Sequence, residues 1–199
     1  MAVKDHSLDS KITDSAMEEF LNYGFQAGSI NRIAKNAGVT TGAIYTRYKN
    51  KDDLFQSLIK ETLEEMAVKG SEVSECYFKV KTRDDVDLFL NAMWEEMKAY
   101  TDIIFRKYDQ CRLLFCKSEG SSVDAMLKQS MDFKEKNTVE FLENITHKNM
   151  KGAGLLIKKQ FGLFKLVLES GLDKDTIMSS LEMIYRFNRA GWRELFEKE

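Results

Sequence analysis

At 199 residues, 43% of them hydrophobic and 31% charged, with a net charge of −2, the chain has the composition of an ordinary globular protein with ample material for a core. No run approaches 18 apolar residues, which excludes a transmembrane helix, and the start lacks the basic-then-apolar pattern of a secretory signal. Three cysteines, an odd number, suit a reducing compartment rather than a disulfide scaffold, so the chain is expected to be cytoplasmic and to have no membrane partner.

The sequence contains no proline, the residue that most readily breaks helices, and no alternating β pattern of any length. It reads as all-α, with about nine helices. Leu8, Ile12, Ala16 and Phe20 repeat every four residues and mark a first helix ending at Gly24. A second is expected over about Ile30–Asn36, with Ser29 placed to cap it, and a third from Thr41 to about Tyr48, with Thr40 as its N-cap. Ala37-Gly38-Val39 is the tight turn between them, and Gly38 supplies the backbone freedom it needs. Asn50 can cap a fourth helix, Lys51 to about Lys69, with Asp52 and Asp53 at its positive end. Gly70–Thr82 reads as a connection or a frayed helix end.

A long helix is expected from about Asp84 to Asp109 and a shorter one over Gln110–Lys117, before a break at Gly120-Ser121-Ser122. Val123, Met126, Leu127, Phe141, Leu142 and Ile145 mark another long helix, followed by a basic, glycine-containing loop at His147–Gly154. Leu155–Ser170 is a strongly apolar helix stopped by Gly171. Asp173 caps the last helix, with Leu172 and Ile177 at its staple positions.

Chemistry concentrates in the second and third helices, which together have the form of a helix-turn-helix. Between Ile30 and Lys51 the charged residues are Arg32, Lys35, Arg47, Lys49 and Lys51, with no acidic residue among them. A compact basic helix pair on a near-neutral chain is the electrostatic footprint of a reader of double-stranded DNA. The third helix would enter the major groove with its N-terminal residues nearest the base edges. Thr41, Gly42, Ala43, Thr46 and Arg47 are the candidate readers, with Gly42 and Ala43 allowing close approach and the Ala43 methyl able to meet a thymine methyl. Thr40, Tyr45, Tyr48 and Lys51 are the candidate phosphate contacts. For Tyr48 the alternative is packing under the fourth helix; for Lys35 and Lys49 it is plain solvated surface.

The stretch from Ile12 to Leu54 resembles the N-terminal domain of the tetracycline-repressor (TetR) family. The matching residues are Ala16, Phe20, Gly24, Phe25, Ile33, Ala34, Ala37, Gly38, Val39, Thr40, Gly42, Ile44, Tyr45, Tyr48, Lys51, Asp52 and Leu54. Two departures stand out. Gly28 replaces the usual Thr or Ser, which is expected to loosen the lead-in to the second helix, and Arg47 replaces a common His or Tyr, which is expected to add a phosphate or base contact. The resemblance implies phosphate roles for Tyr45 and Lys51. It also implies a three-helix DNA-binding domain over residues 1–51 and a larger helical effector-binding and dimerisation domain over 52–199, with 52–69 as the linking helix. Together these describe a homodimeric repressor released from a palindromic operator by a small molecule.

The remainder carries no comparable motif. Its aromatics and methionines, with polar groups among them, could enclose a mostly apolar pocket for a small apolar or amphipathic effector. The candidates are Met93, Trp94, Met97, Thr101, Ser130 and Phe133, with helix-core packing as the alternative. Phe161, Phe164, Leu168, Ile184, Asn188 and Trp192 on the last two helices are the candidate dimer surface, with packing inside one chain as the alternative. No catalytic residue, metal ligand set or cofactor is expected. The only histidines are His6 and His147, Cys111 and Cys116 fit no zinc or redox spacing, and no P-loop or dinucleotide fingerprint occurs. An enzyme is therefore disfavoured. A DNA-binding protein answering to a protein partner, or serving an architectural role, is the reading that would apply if the helical core held no cavity.

Overall fold

The computed structural model describes residues 6–77 and 79–197. Among these, the backbone forms nine α-helices and a single 3-10 turn, with no strand. They are α1 (His6–Ala27), α2 (Ile30–Ala37), α3 (Thr41–Tyr45), α4 (Lys51–Tyr77), the turn Arg83–Asp85, α5 (Val86–Arg106), α6 (Tyr108–Cys116), α7 (Ser122–Thr146), α8 (Ala153–Glu169) and α9 (Lys174–Glu197). No helix among the described residues is long and apolar enough to cross a membrane.

The helices assemble into two compact units. Of the described residues, one holds those up to Leu63 together with Lys107–Lys128; the other holds those of Glu64–Arg106 and those from Gln129 onward. In the first unit the stripe read from the sequence is the core, with Ile12, Ala16, Phe20, Ile33, Ile44, Leu54 and Phe55 all fully buried. Three rings close it. Phe55 meets Phe20 edge-on at 5.1 Å and Phe25 at 5.3 Å between centroids, a geometry that aligns positive ring edges with negative faces. From α6, Cys111, Leu113 and Leu114 are fully buried, and the carbonyl of Lys117 accepts the Phe25 amide at 2.8 Å.

Several local expectations are met by identifiable bonds. α1 departs from helical geometry at Gly24 (φ 74°, ψ 172°) and adds one further turn. Gly38 is left-handed (φ 69°). Its amide bonds to the Lys35 carbonyl while that of Val39 returns to Ala34, completing the C-terminal lock of α2. Thr40 caps α3, Asn50 accepts the Asp53 amide, and Asp173 accepts the Thr176 amide.

Three expectations need correction. Ser29 makes no side-chain cap; its own amide is taken by Glu19 instead. α3 stops at Tyr45, three residues early, and the chain tightens into a turn. The stretch from Gly70 is helical as far as Tyr77, because Met66 and Val73, seven apart on one face, are both buried and hold α4 to its neighbours.

Gly28 also behaves differently from its expected role. A Cβ there would fall 2.6 Å from the Phe20 ring and 2.9 Å from the Gly24 carbonyl oxygen. The missing side chain lets the ring lie under the junction of α1 and α2, so the junction is packed rather than loosened.

In the second unit Phe89 of α5 is the hub. The rings of Phe196, Tyr77, Trp192 and Phe141 surround it at 5.5, 5.7, 5.9 and 6.2 Å. Asp87 at the start of α5 pairs with Arg189 at 2.8 Å and with Arg193, which fastens α9 alongside.

Candidate functional sites

The helix-turn-helix is held to α1 by charge as well as by apolar contact. Glu19, 3% exposed, accepts the Ser29 amide at 2.8 Å and the Arg32 guanidinium at 2.9 Å. That bond is the chief cause of the upward shift of the Arg32 pKa. On the third helix, the Thr40 hydroxyl oxygen accepts the Ala43 amide at 3.1 Å, and the Thr46 hydroxyl donates to the Ala43 carbonyl at 2.8 Å. Thr40, Gly42, Tyr45 and Thr46 are exposed, while Thr41, Ala43 and Tyr48 are half-buried.

Arg47 and Lys51 make bonds that the sequence did not reveal. The Arg47 guanidinium pairs with the Asp9 carboxylate of α1 and donates to the Ala43 carbonyl at 3.1 Å. It thus pins the end of α3 to α1. The Lys51 ammonium donates to the carbonyls of Phe25 (2.8 Å), Gln26 (3.2 Å) and Gly28 (3.2 Å), and lies 4.5 Å from the centroid of the Phe25 ring. A cation over the terminal carbonyls of α1 satisfies groups that the helix itself leaves unpaired. Thus Arg32, Arg47 and Lys51 all brace the fold of this unit, and Lys35 and Lys49 stand exposed.

The second unit encloses a cavity of about 920 Å³, walled by side chains such as Tyr77, Met93, Phe141, Ile157, Phe164 and Trp192. That is the size range of pockets for drug-sized ligands. Of the expected effector residues, Met93, Met97, Ser130 and Phe133 line it. Ser130 and Phe133 are exposed, Phe133 to 67%, and form its rim. Trp94 and Thr101 do not line it. The Trp94 ring stacks on Tyr185 at 4.2 Å against the buried cluster of Met97, Val167, Ile177 and Leu181, and the buried Thr101 hydroxyl donates to the Met97 carbonyl at 2.7 Å.

The polar network on the cavity wall escaped the sequence reading. Glu96, only 8% exposed, accepts the Tyr77 hydroxyl at 3.2 Å on one oxygen and the Lys134 ammonium on the other. One carboxylate thereby joins α4, α5 and α7. Burial, reinforced by the Glu96 charge, raises the Tyr77 hydroxyl well above its ordinary pKa and pushes Tyr100 up to about 12. The available signal was spacing: Met93, Glu96, Met97 and Tyr100 fall at i, i+3, i+4 and i+7, on one helical face.

The expected dimer residues divide. Phe164, Leu168 and Trp192 are buried within the chain, and Phe164 and Trp192 belong to the cavity wall. The apolar periodicity that nominated them is satisfied by internal packing. Ile184 and Asn188 are half-buried, and the side chain of Phe161 lies outside the described residues. Among the described residues, the most exposed large apolar side chains of α8 and α9 are Leu155, Leu166, Met183 and Phe187, each at least 66% exposed. Among the described residues no group of three His, Cys, Asp or Glu could hold a metal ion.

Residues 12–58 match the family model described as bacterial regulatory proteins, tetR family. The HTH-type transcriptional regulator YhgD of Bacillus subtilis (strain 168) is 38% identical over 71 residues, 35% of this chain and 37% of that protein. The fatty acid metabolism regulator protein of the same organism is 42% identical over 53 residues, 27% of each chain. The chain thus matches little more than a third of the length of these curated relatives. The crystal structure of a TetR-like transcriptional regulator from Rhodococcus sp. RHA1 shares the fold across almost the whole length. Its TM-score is 0.61 at 17% identity, covering 96% of this chain and 97% of that one.

Proposed function

We propose, from the match of residues 12–58 to the tetR-family model and from the TetR-like fold, that the chain is a homodimeric transcriptional repressor that leaves a palindromic DNA operator when a small molecule enters its helical cavity. The observation that carries this reading is the α3 head, capped by Thr40, pinned by Arg47 and exposed along Gly42, Tyr45 and Thr46. Thr41, Gly42, Ala43 and Thr46 face the base edges. Thr40, Tyr45 and Tyr48 meet phosphates, and Lys51 and Arg47 set the angle of the helix that does so. The exposed apolar residues of α8 and α9 form the protomer interface, where removing them from water is favourable.

The cavity favours a small-molecule effector over a protein partner. α4 is a single helix whose first residue, Lys51, holds the head and whose last, Tyr77, stands at the cavity wall. A displacement of α4 changes the separation of two heads that must match major grooves ~34–36 Å apart. An effector that favours the released state by ~1.4 kcal/mol lowers DNA affinity about tenfold.

The test is binding of the full chain to a duplex selected from a random pool, read by fluorescence anisotropy across a salt series. A dimer at micromolar concentration is expected, with a steep negative salt slope of about −0.9 per phosphate neutralised. Tyr45→Phe should weaken binding to all duplexes alike, whereas Thr46→Ala should change which duplex is preferred. Monomers at that concentration, or affinity indifferent to salt, would overturn the proposal.

A further inference from the structure

The cavity is mostly aromatic and aliphatic, yet its most deeply buried ionisable wall group is a carboxylate. The Glu96 side chain is 10% exposed, whereas the Lys134 side chain that pairs with it is 34% exposed and Lys81, also on the wall, is exposed. The two cations sit where water screens them and where a flexible four-carbon stem can carry the ammonium outward. Glu96 is fixed, by the Tyr77 hydroxyl on one oxygen. A ligand filling the apolar interior therefore meets a stationary negative charge in a cavity that the rings of Tyr77, Phe89, Tyr100 and Phe141 also line.

Building on the reading of this cavity as the effector site, we infer that the effector is an organic cation, an amine or ammonium group on an apolar body, which takes the Glu96 carboxylate in place of Lys134. The ligand ammonium donates to the Glu96 oxygen that Lys134 now occupies, and the surrounding rings present their negative faces to it. Lys134 moves to solvent. The hydroxyl of Tyr77 keeps its bond to the other oxygen, so Glu96 remains a partnered buried charge throughout. A ligand carboxylate at that depth would face Glu96 as a like charge, and a neutral ligand would gain nothing from separating the ion pair. The exchange also breaks the one ion pair described between α5 and α7, leaving their apolar contact in place, which gives the cavity a means of reporting occupancy.

Phenylbutylamine, phenylbutanol and phenylbutyrate share one body and differ in the head, and titration calorimetry on the full chain tests the inference. The amine is expected to bind about tenfold tighter than the alcohol, and the carboxylate most weakly. Glu96→Gln, which is isosteric and keeps a partner for Tyr77, should erase the preference and bring the three within about twofold. Lys134→Met should tighten the amine several-fold, because no resident cation has to leave. A structural role for the ion pair predicts the opposite sign for that variant. Carboxylate binding equal to or tighter than the amine, an amine preference that survives Glu96→Gln, or weaker amine binding in Lys134→Met would each overturn the inference, as would no binding by any of the three at millimolar concentration. Operator release is measured in parallel. Selective amine binding without release defeats the repressor reading and leaves the cation site standing, whereas release by all three heads alike does the reverse.

Discussion

Phe55→Ala is expected to cost ~3–5 kcal/mol and to abolish DNA binding. Phe55 is fully buried and sets its ring edge-on to both Phe20 and Phe25, so truncation removes two aromatic contacts and leaves a cavity at the centre of the first unit. A domain is typically stable by only ~5–15 kcal/mol, so a loss of this size consumes much of the margin. Both tryptophans, Trp94 and Trp192, lie in the other unit, so two probes separate the effects. Circular dichroism in urea should show an early helical transition that tryptophan fluorescence does not follow, and anisotropy should show no operator binding. A stability change below ~1 kcal/mol would mean that the ring cluster is not what holds the head together.

The second large effect runs against the family pattern. Gly28→Ser restores the residue type usual at this position, yet it is expected to destabilise the first unit by ~1–3 kcal/mol, the cost of inserting atoms into a filled core. The new Cβ would meet the Phe20 ring at 2.6 Å and the Gly24 carbonyl at 2.9 Å, and only the ring can move. Phe20→Leu should therefore recover part of the loss when combined with Gly28→Ser, a non-additivity that a double-mutant cycle measures. Gly152→Ala serves as the control, since a Cβ at that position meets nothing within 4 Å. If Gly28→Ser proved neutral or stabilising in thermal melts, the close packing described for Phe20 would be wrong.

The elements that local chemistry punctuates were legible in the sequence. Thr40, Asn50 and Asp173 each accept the amide three residues ahead, and a cap of that kind acts within one turn of its own position. Gly38 is left-handed for the same local reason. What the sequence withheld depends on distant partners. Nothing near Ser29 announces that Glu19 takes its amide, and nothing near Arg47 or Lys51 announces Asp9 or the last carbonyls of α1. A basic residue on a helix-turn-helix looks like a phosphate contact until its partner in the fold is known. In the cavity, side-chain size is a poor guide to direction. Trp94 is the larger side chain, but it sits one helical step off the face shared by Met93, Met97 and Tyr100, and that face also carries Glu96.

The bond from the Phe25 amide to the Lys117 carbonyl, and the burial of Cys111, Leu113 and Leu114 from α6, bear on how the molecule is made. The covering segment is synthesised about 90 residues after the helix it caps. At ~5–20 residues per second, the first helix emerges from the ribosome ~5–20 s before α6 can reach it. During that interval the nascent head has an open apolar flank and an unpaired main-chain amide, and closure demands a long loop that slows the final step. A fragment ending at Leu63 is held permanently at that unfinished stage.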